Sequence, residues 1–419
     1  MHHRRLATLY ALAGISLGLI LPFTVPLLAE RGLGAVEIGL VMSLTGVAAL
    51  VSYPVWGAIA DGWLGRRRTV AVAAVLAAVG GVSLMLAGDE PLALALALTV
   101  VIVGTLAWNP LIDALALAVL GDGSSDYGRL RLWGSLGWAA SALSAGVVWT
   151  LVGPTPVFLG FVVAALMVGG LVLLPLPGEL GSASASDGSA GDDTRPPLRS
   201  WLPLVATPVM LGFLLGLLVT SLGEHASWRF IGLRILDQGG GVFLIGLAAS
   251  LPALVEVPVF LSSRRLAGRF GLRRLFVGGA AVAAIIMGLI AVAPEPWMVA
   301  GLRTLDGVSY AMRYTAMVLI VGALLPRSLF AFGQSVAWFV YAGIAPIVAD
   351  AAGGLIYEAF GAEALFLATM VALAVGGVIV WLVLRGPRFG PEGLLPATAA
   401  EPVALPPAGP EAPLPPPPG

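Results

Sequence analysis

The stretch GLRTLDGVSYAMRYTAM, residues 301–317, carries Arg303, Asp306 and Arg313 inside a run otherwise apolar enough to cross a bilayer. In a helix turning about 100° per residue, Arg303, Asp306, Tyr310 and Arg313 fall within an arc of about 80°, spread over roughly 15 Å of height. One face of that helix is polar, and such a face must look into a bundle or a water-filled cavity. Other ionisable residues stand in similar surroundings: Glu224, Glu256 within LVEVPVF, and Asp350 within PIVADAAGG. A carboxylate beside an arginine can bind and release a proton as the arginine moves between states. Asp306 is therefore expected to carry or share a proton, with Glu256 as the competing site and Arg303, Glu224 and Asp350 as partners. The alternative for each is a static ion pair holding helices together, and His225, beside Glu224, reads as an interface residue. Earlier in the chain, Asp113 and Arg131 lie eighteen residues apart. An arginine fork with a carboxylate offers donors and acceptors suited to hydroxyls, and Trp138 adds an apolar face on which a ring can stack. Asn109, Ser135, Tyr310 and Arg313 complete the expected solute-binding set. The plainer reading of Asp113 and Arg131 is a tie between neighbouring helices.

The elements that position these residues follow from composition. Of 419 residues, 58% are hydrophobic and 11% charged, and the mean hydropathy is +0.98, far above that of a soluble domain. A hydrocarbon core about 30 Å thick needs roughly 20 apolar residues per helix. Twelve such stretches can be marked, near 6–29, 36–60, 69–87, 92–119, 129–152, 155–175, 202–226, 241–261, 274–293, 296–324, 330–356 and 362–384. The alternating ten-residue segments of a membrane barrel are missing, so helices remain as the way to satisfy the backbone in lipid. The first stretch follows MHHRR and is too long for a signal-peptide core, so it is read as a membrane helix. Pro22, Pro26, Pro54 and Pro110 predict kinks.

All 22 basic residues are arginine. Arg66, Arg67, Arg68, Arg129, Arg131, Arg195, Arg199, Arg264, Arg265, Arg269, Arg273, Arg274 and Arg327 fall on one side of the predicted topology, and Arg31, Arg229 and Arg234 on the other. By the positive-inside rule both termini are expected in the cytoplasm. The segment PGELGSASASDGSAGDDTRPPLRS reads as a flexible linker, and the Pro-rich end as unstructured. The expected division is a six-helix bundle over 1–175, a cytoplasmic linker over 176–201, a second six-helix bundle over 202–385 and a tail over 386–419. GAIADGWLGRRR (57–68) and SSRRLAGRFGLRR (262–274) occupy equivalent turns in the two halves, the mark of an internally duplicated transporter with a site between the halves.

Over residues 5–385 the sequence resembles the major facilitator superfamily. The family's signature turn is matched by Gly57, Asp61, Gly65 and Arg66 to Arg68, which implies a gating role for Gly57, Asp61, Gly65, Arg66 and Arg67. It departs from the pattern at Gly62, where a basic residue is usual, and by one extra residue before Gly65. NPLIDALALAVLGDGSSDYGRLRLWGSLGW (109–138) resembles the branch of lactose permease, sugar–proton symporters and phenylpropionate transporters. The resemblance implies that Asp113 and Arg131 bind sugar and that Ser135, Gly137 and Trp138 match the small residue, glycine and stacking tryptophan. In that branch the tenth helix carries a basic residue, a histidine and a proton-exchanging carboxylate at intervals of three. Arg303 matches the first, Asp306 replaces the histidine and Ser309 replaces the carboxylate. A seventh-helix acid pairs with the basic residue there, which makes Glu224 the expected partner of Arg303.

The combined reading is an all-helical secondary transporter in a bacterial inner membrane, importing a small polar solute with protons. Sugar or oligosaccharide is favoured over aromatic carboxylate or nucleoside, and a proton-driven exporter of drugs or metabolites is the alternative. GWAASALSAG has glycines but lacks the proline of export motifs. With no cysteine, three histidines of which two open the chain, and no nucleophile–base or phosphate-cradling pattern in context, neither a metal centre, a cofactor nor an enzyme is expected. The expected partners are the solute, protons and lipid, not nucleic acid, and the expected state is a monomer.

Overall fold

The computed structural model describes residues 2–120, 126–174, 207–325, 329–386 and 389–390. The predicted linker 176–201, Arg195, Arg199, Arg327 and nearly all of the Pro-rich tail lie outside them. Every regular element among the described residues is helical. The first, α1, runs His2–Ile20, tightens into a 3-10 turn at Leu21–Phe23 and resumes over Thr24–Glu30. It is followed by α2 (Ala35–Asp61), α3 (Gly65–Leu86), α4 (Pro91–Leu106 and Trp108–Leu120), α5 (Asp126–Val152) and α6 (Thr155–Leu173). The second half holds α7 (Pro208–Asp237), α8 (Val242–Phe270), α9 (Leu272–Val292) and α10 (Pro296–Leu324). Then α11 starts as Phe330–Trp338, passes through a π turn at Phe339–Ile344 and enters the stretch Ala345–Val383, which is broken at Gly361; the part beyond the break is α12.

Two prolines mark their helices as expected. The 3-10 turn of α1 contains Pro22, and the break in α4 falls at Ala107, next to Leu106, whose carbonyl a helical Pro110 would strike. By contrast α2 runs unbroken through Pro54. The seventh helix is eleven residues longer at its end than the predicted 202–226, so Arg229 and Arg234 belong to a membrane helix and not to the loop to which topology assigned them. Packing beyond residue 385 also continues further than expected, because Phe389 is buried among Leu272, Leu275 and Leu384.

The duplication is visible at the level of single bonds. Gly65 and Gly271 both adopt positive φ, +73° and +78°, where a side chain would be strained. Two residues on in each half, an arginine reaches the end of that half's last helix: Arg67 Nε donates to the Val172 carbonyl at 2.8 Å, and Arg273 Nη1 to the Leu384 carbonyl at 3.4 Å. Arg67 also donates to Leu174 O. These guanidinium groups satisfy carbonyls that a helix end leaves without partners.

The halves meet where α2 crosses α11 and α5 crosses α8, at the end away from the termini. A Cβ on Gly39 would stand 2.4 Å from Asp350 O, and one on Gly246 would stand 2.5 Å from Ala142 O, so the backbones approach as only glycine allows. Three hydrogen bonds reinforce the contact: Ser43 Oγ to Ile347 O at 2.9 Å, Val36 N to Glu358 Oε2 at 2.8 Å and Trp138 Nε1 to Ala249 O at 3.1 Å. Toward the terminus-bearing end the helices part, and a Cβ on Gly57 would meet nothing within 4 Å. Asp61, Arg66 and Arg68 of the same predicted gating turn are exposed there.

Candidate functional site

Between the halves lies a cavity of about 570 Å³, lined by α1, α2, α4 and α5 from one half and α7, α8, α10 and α11 from the other. Its first-half wall holds Asn109, Asp113, Arg131, Ser135 and Trp138. Asp113 sits on the second segment of α4 and Arg131 on the first turns of α5, eighteen positions further along the chain. Arg131 Nη1 lies 3.2 Å from Asp113 Oδ2, with the two side chains 56% and 22% exposed. The other carboxylate oxygen accepts from the Tyr10 hydroxyl of α1 at 2.5 Å. Tyr10 was not foreseen: it lies 103 residues from Asp113, and a tyrosine in an apolar helix needs no special explanation. Trp138 lines the cavity, but its indole N–H is already committed to α8.

The second-half charges are arranged differently from expectation. Glu224 does not pair with Arg303; it meets Arg313 Nη2 at 2.9 Å and accepts from the Tyr341 hydroxyl at 2.6 Å. Arg303 turns instead to Asp306, one helical turn on, and the Ser309 hydroxyl donates to the same carboxylate. The i, i+3 spacing that put these residues on one face of α10 also lets them pair along it. Glu224, Glu256, Arg303, Asp306 and Tyr310 face the cavity. Glu256 forms no hydrogen bond or ion pair with any described residue.

Two predicted residues stand elsewhere. Asp350 is fully buried in a two-bond ion pair with Arg229, Nε to Oδ1 and Nη2 to Oδ2, each 3.0 Å. It ties α11 to α7 and does not line the cavity. Arg313 is 4% exposed and borders a smaller void with Ser221 and Tyr314. Its Nε and Nη1 have no hydrogen-bond partner among the described residues. His225 does line the cavity, and its Nε2 lies 2.9 Å from the Tyr341 carbonyl. That carbonyl lies inside the π turn, where the regular helical ladder is interrupted. The predicted interface role of His225 thus has a concrete partner.

A deep cavity with charged and hydroxyl groups on facing walls, closed at one end by helix crossings, can hold a small polar solute and release it at the other end. No group of three or more metal-ligating side chains occurs among the described residues.

Comparison with known proteins gives a consistent picture. The maltose permease of Geobacillus stearothermophilus is 29% identical over 391 residues, covering 91% of this chain and 95% of the relative. The solved nucleoside transporter NupG is 16% identical, with a TM-score of 0.78 over 92% of this chain and 99% of that one. A peptide transporter, POT, solved with sulfate, is 15% identical, with a TM-score of 0.73 over 93% of this chain and 94% of that one. The model of the MFS_1 like family matches residues 3–368. The chain belongs to the MFS_1 like family and is a secondary transporter of the major facilitator type.

Proposed function

We propose that the protein imports a small polar solute, a sugar or oligosaccharide before an aromatic carboxylate or nucleoside, in symport with protons across a bacterial cytoplasmic membrane. The observation that carries this reading is the Tyr10–Asp113–Arg131 cluster in the wall of a cavity of about 570 Å³, a volume within the roughly 300–1,000 Å³ of small-molecule sites. Solute hydroxyls can exchange with the partly exposed Arg131 and Asp113, each of which keeps its charge while changing partners. The likeness to maltose permease over 91% of the chain favours a sugar. With the termini in the cytoplasm, the present form opens inward, and parting of the Gly39 and Gly246 crossings would open the cavity to the other side.

For the proton, Glu256 is better placed than Asp306. Both face the cavity, but Asp306 is held by Arg303 and Ser309. Glu256 can gain and lose a proton without breaking an ion pair. The test is maltose uptake into proteoliposomes with an imposed pH gradient, alkaline inside. Wild-type protein should concentrate maltose. Glu256→Gln should equilibrate it without concentrating it, whereas Asp306→Asn should still concentrate it. Concentrative uptake by Glu256→Gln overturns the assignment, and expulsion of preloaded maltose by the wild type under the same alkaline-inside gradient would make the protein a proton-driven exporter.

A further inference from the structure

The closed end of the cavity, away from the termini, is lined by two arginines. Arg229 of α7 and Arg303 of α10 border both the cavity and a smaller space of about 30 Å³ between the 3-10 turn of α1 and helices α7 and α8. Asp113 and Arg131 stand toward the other end, on the last segment of α4 and the first turns of α5. The sequence places Arg229 in a loop and gives it no part in a site.

Arg229 is fixed from two sides. Its Nε and Nη2 grip the fully buried Asp350 at 3.0 Å each, and its guanidinium carbon lies 5.3 Å from the centre of the Trp228 ring, within reach of a cation–π contact. The third nitrogen, Nη1, donates to no described residue, and unlike the sealed nitrogens of Arg234 and Arg313 it is not shut off from its surroundings. An arginine already held through two nitrogens offers the third with little further loss of side-chain freedom. Its charge is meanwhile balanced by Asp350, and that of Arg303 by Asp306 one turn along α10. Such donors favour neutral oxygens, because a solute carboxylate would give up its hydration and meet no uncompensated positive charge.

We propose that Arg229, locked by Asp350, donates from Nη1 to a hydroxyl of an uncharged solute at the closed end of the cavity, and so selects hydroxylated solutes over carboxylates. The inference rests on the transport reading above and narrows its substrate class. A water-sized group needs about 10–15 Å³, so the space beside Arg229 takes a hydroxymethyl group of the solute and not a further ring. Asp113 and Arg131 in the first half then hold one end of the solute, and Arg229 in the second holds the other. Because Arg229 stands at the closed end, it is a donor that a solute entering from the opposite side meets early, once the crossings part.

Calorimetric titration of the purified full-length protein with maltose, uridine and phenylpropionate tests this. Wild-type protein should bind maltose or uridine more tightly than phenylpropionate. For the uncharged probe it binds, Arg229→Lys, which keeps a positive charge opposite Asp350 but loses Nη1, should weaken binding about tenfold. Joint replacement of Arg229 and Asp350 by methionine removes the tie and the donor together, so the unfolding midpoint should stay near that of wild type while binding falls by about the same factor. Should the methionine pair not fold, the Arg229→Lys titration decides. Binding equal to wild type in the methionine pair, or in Arg229→Lys, means that Arg229 is a tie between α7 and α11 alone; it overturns the proposal and leaves the sugar reading standing. Tighter binding of phenylpropionate than of both uncharged probes overturns the selection for neutral solutes. Binding of uridine but not maltose removes the sugar reading and leaves Arg229 to be judged on uridine. Binding of neither removes both.

Discussion

Each half of the molecule assembles one tyrosine, one carboxylate and one arginine, but on different helices. In the first half Tyr10 of α1, Asp113 of α4 and Arg131 of α5 meet; in the second, Glu224 of α7, Arg313 of α10 and Tyr341 of α11. Since α7, α10 and α11 are the counterparts of α1, α4 and α5, the three groups occupy the same three places shifted by one. Their surroundings differ more than their chemistry. Arg131 and Asp113 are 56% and 22% exposed, whereas Arg313 and Glu224 are 5% and 14% exposed. Water can replace a lost partner in the first set, so its members are free to trade partners with a solute. In the second set a lost partner leaves a buried charge. One cluster is built for exchange and the other for holding three helices together.

The sharpest way to break this comparison is to remove one carboxylate from each half. Glu224→Ala strands Arg313, whose Nε and Nη1 already have no hydrogen-bond partner among the described residues, and should lower stability by about 3–5 kcal/mol. Asp113→Ala leaves Arg131 hydrated and should cost less than about 1 kcal/mol, while abolishing concentrative maltose uptake. Thermal or denaturant midpoints in detergent, read beside uptake, separate the two. Joint replacement of Glu224 and Arg313 by methionine should recover most of the lost stability, because the charge and its desolvation leave together. Equal losses at Glu224 and Asp113 would mean that both clusters are structural.

The two halves were also unequally legible in the sequence. Asp113 and Arg131 could be paired in the sequence because the resembled permeases carry a carboxylate and an arginine at that spacing on consecutive helices. The second cluster joins residues 89 and 117 positions apart, and no local pattern encodes that. Glu224, His225, Arg229 and Arg234 together looked like the end of a span, since each is costly in lipid. In the fold they are inside α7 because partners meet them there: Asp350 takes Arg229, and the Ala291 and Ala293 carbonyls take Arg234. The basic turns were readable as repeats, but not the bonds from Arg67 and Arg273 to the last helix of each half, which need the bundle to close. Hydropathy counts charges as if they faced lipid; tertiary pairing decides where they face.

An arginine-to-lysine change in each half sharpens the contrast without removing charge. Lysine keeps the positive charge but loses the planar fork. At position 131 the change should weaken maltose binding about tenfold and barely move the unfolding midpoint. At position 313 the compact ammonium cannot span both Glu224 and the space filled by the guanidinium, so stability should fall by about 1–2 kcal/mol with maltose affinity nearly unchanged. Full affinity in Arg131→Lys would show that the fork is not used in recognition.

The smallest change in chemistry, one hydroxyl in each half, concerns the two tyrosines. Tyr10→Phe and Tyr341→Phe each delete one hydroxyl that donates to a carboxylate, at 2.5 and 2.6 Å, and neither alters ring packing. At Tyr341 the deprived oxygen belongs to Glu224, whose side chain is 14% exposed and already holds the buried Arg313, so the loss should approach the roughly 1.5–3 kcal/mol of a hydrogen bond to a charged group. At Tyr10 water from the cavity can serve Asp113 in place of the phenol, and the stability change should stay below about 0.5 kcal/mol. The same water must then leave when a solute arrives, so maltose affinity should drop about threefold in Tyr10→Phe alone. Denaturant midpoints and maltose titrations on the two variants therefore report in opposite directions, stability for the buried cluster and affinity for the open one; matching responses would mean that the difference in exposure does not govern how the two clusters act.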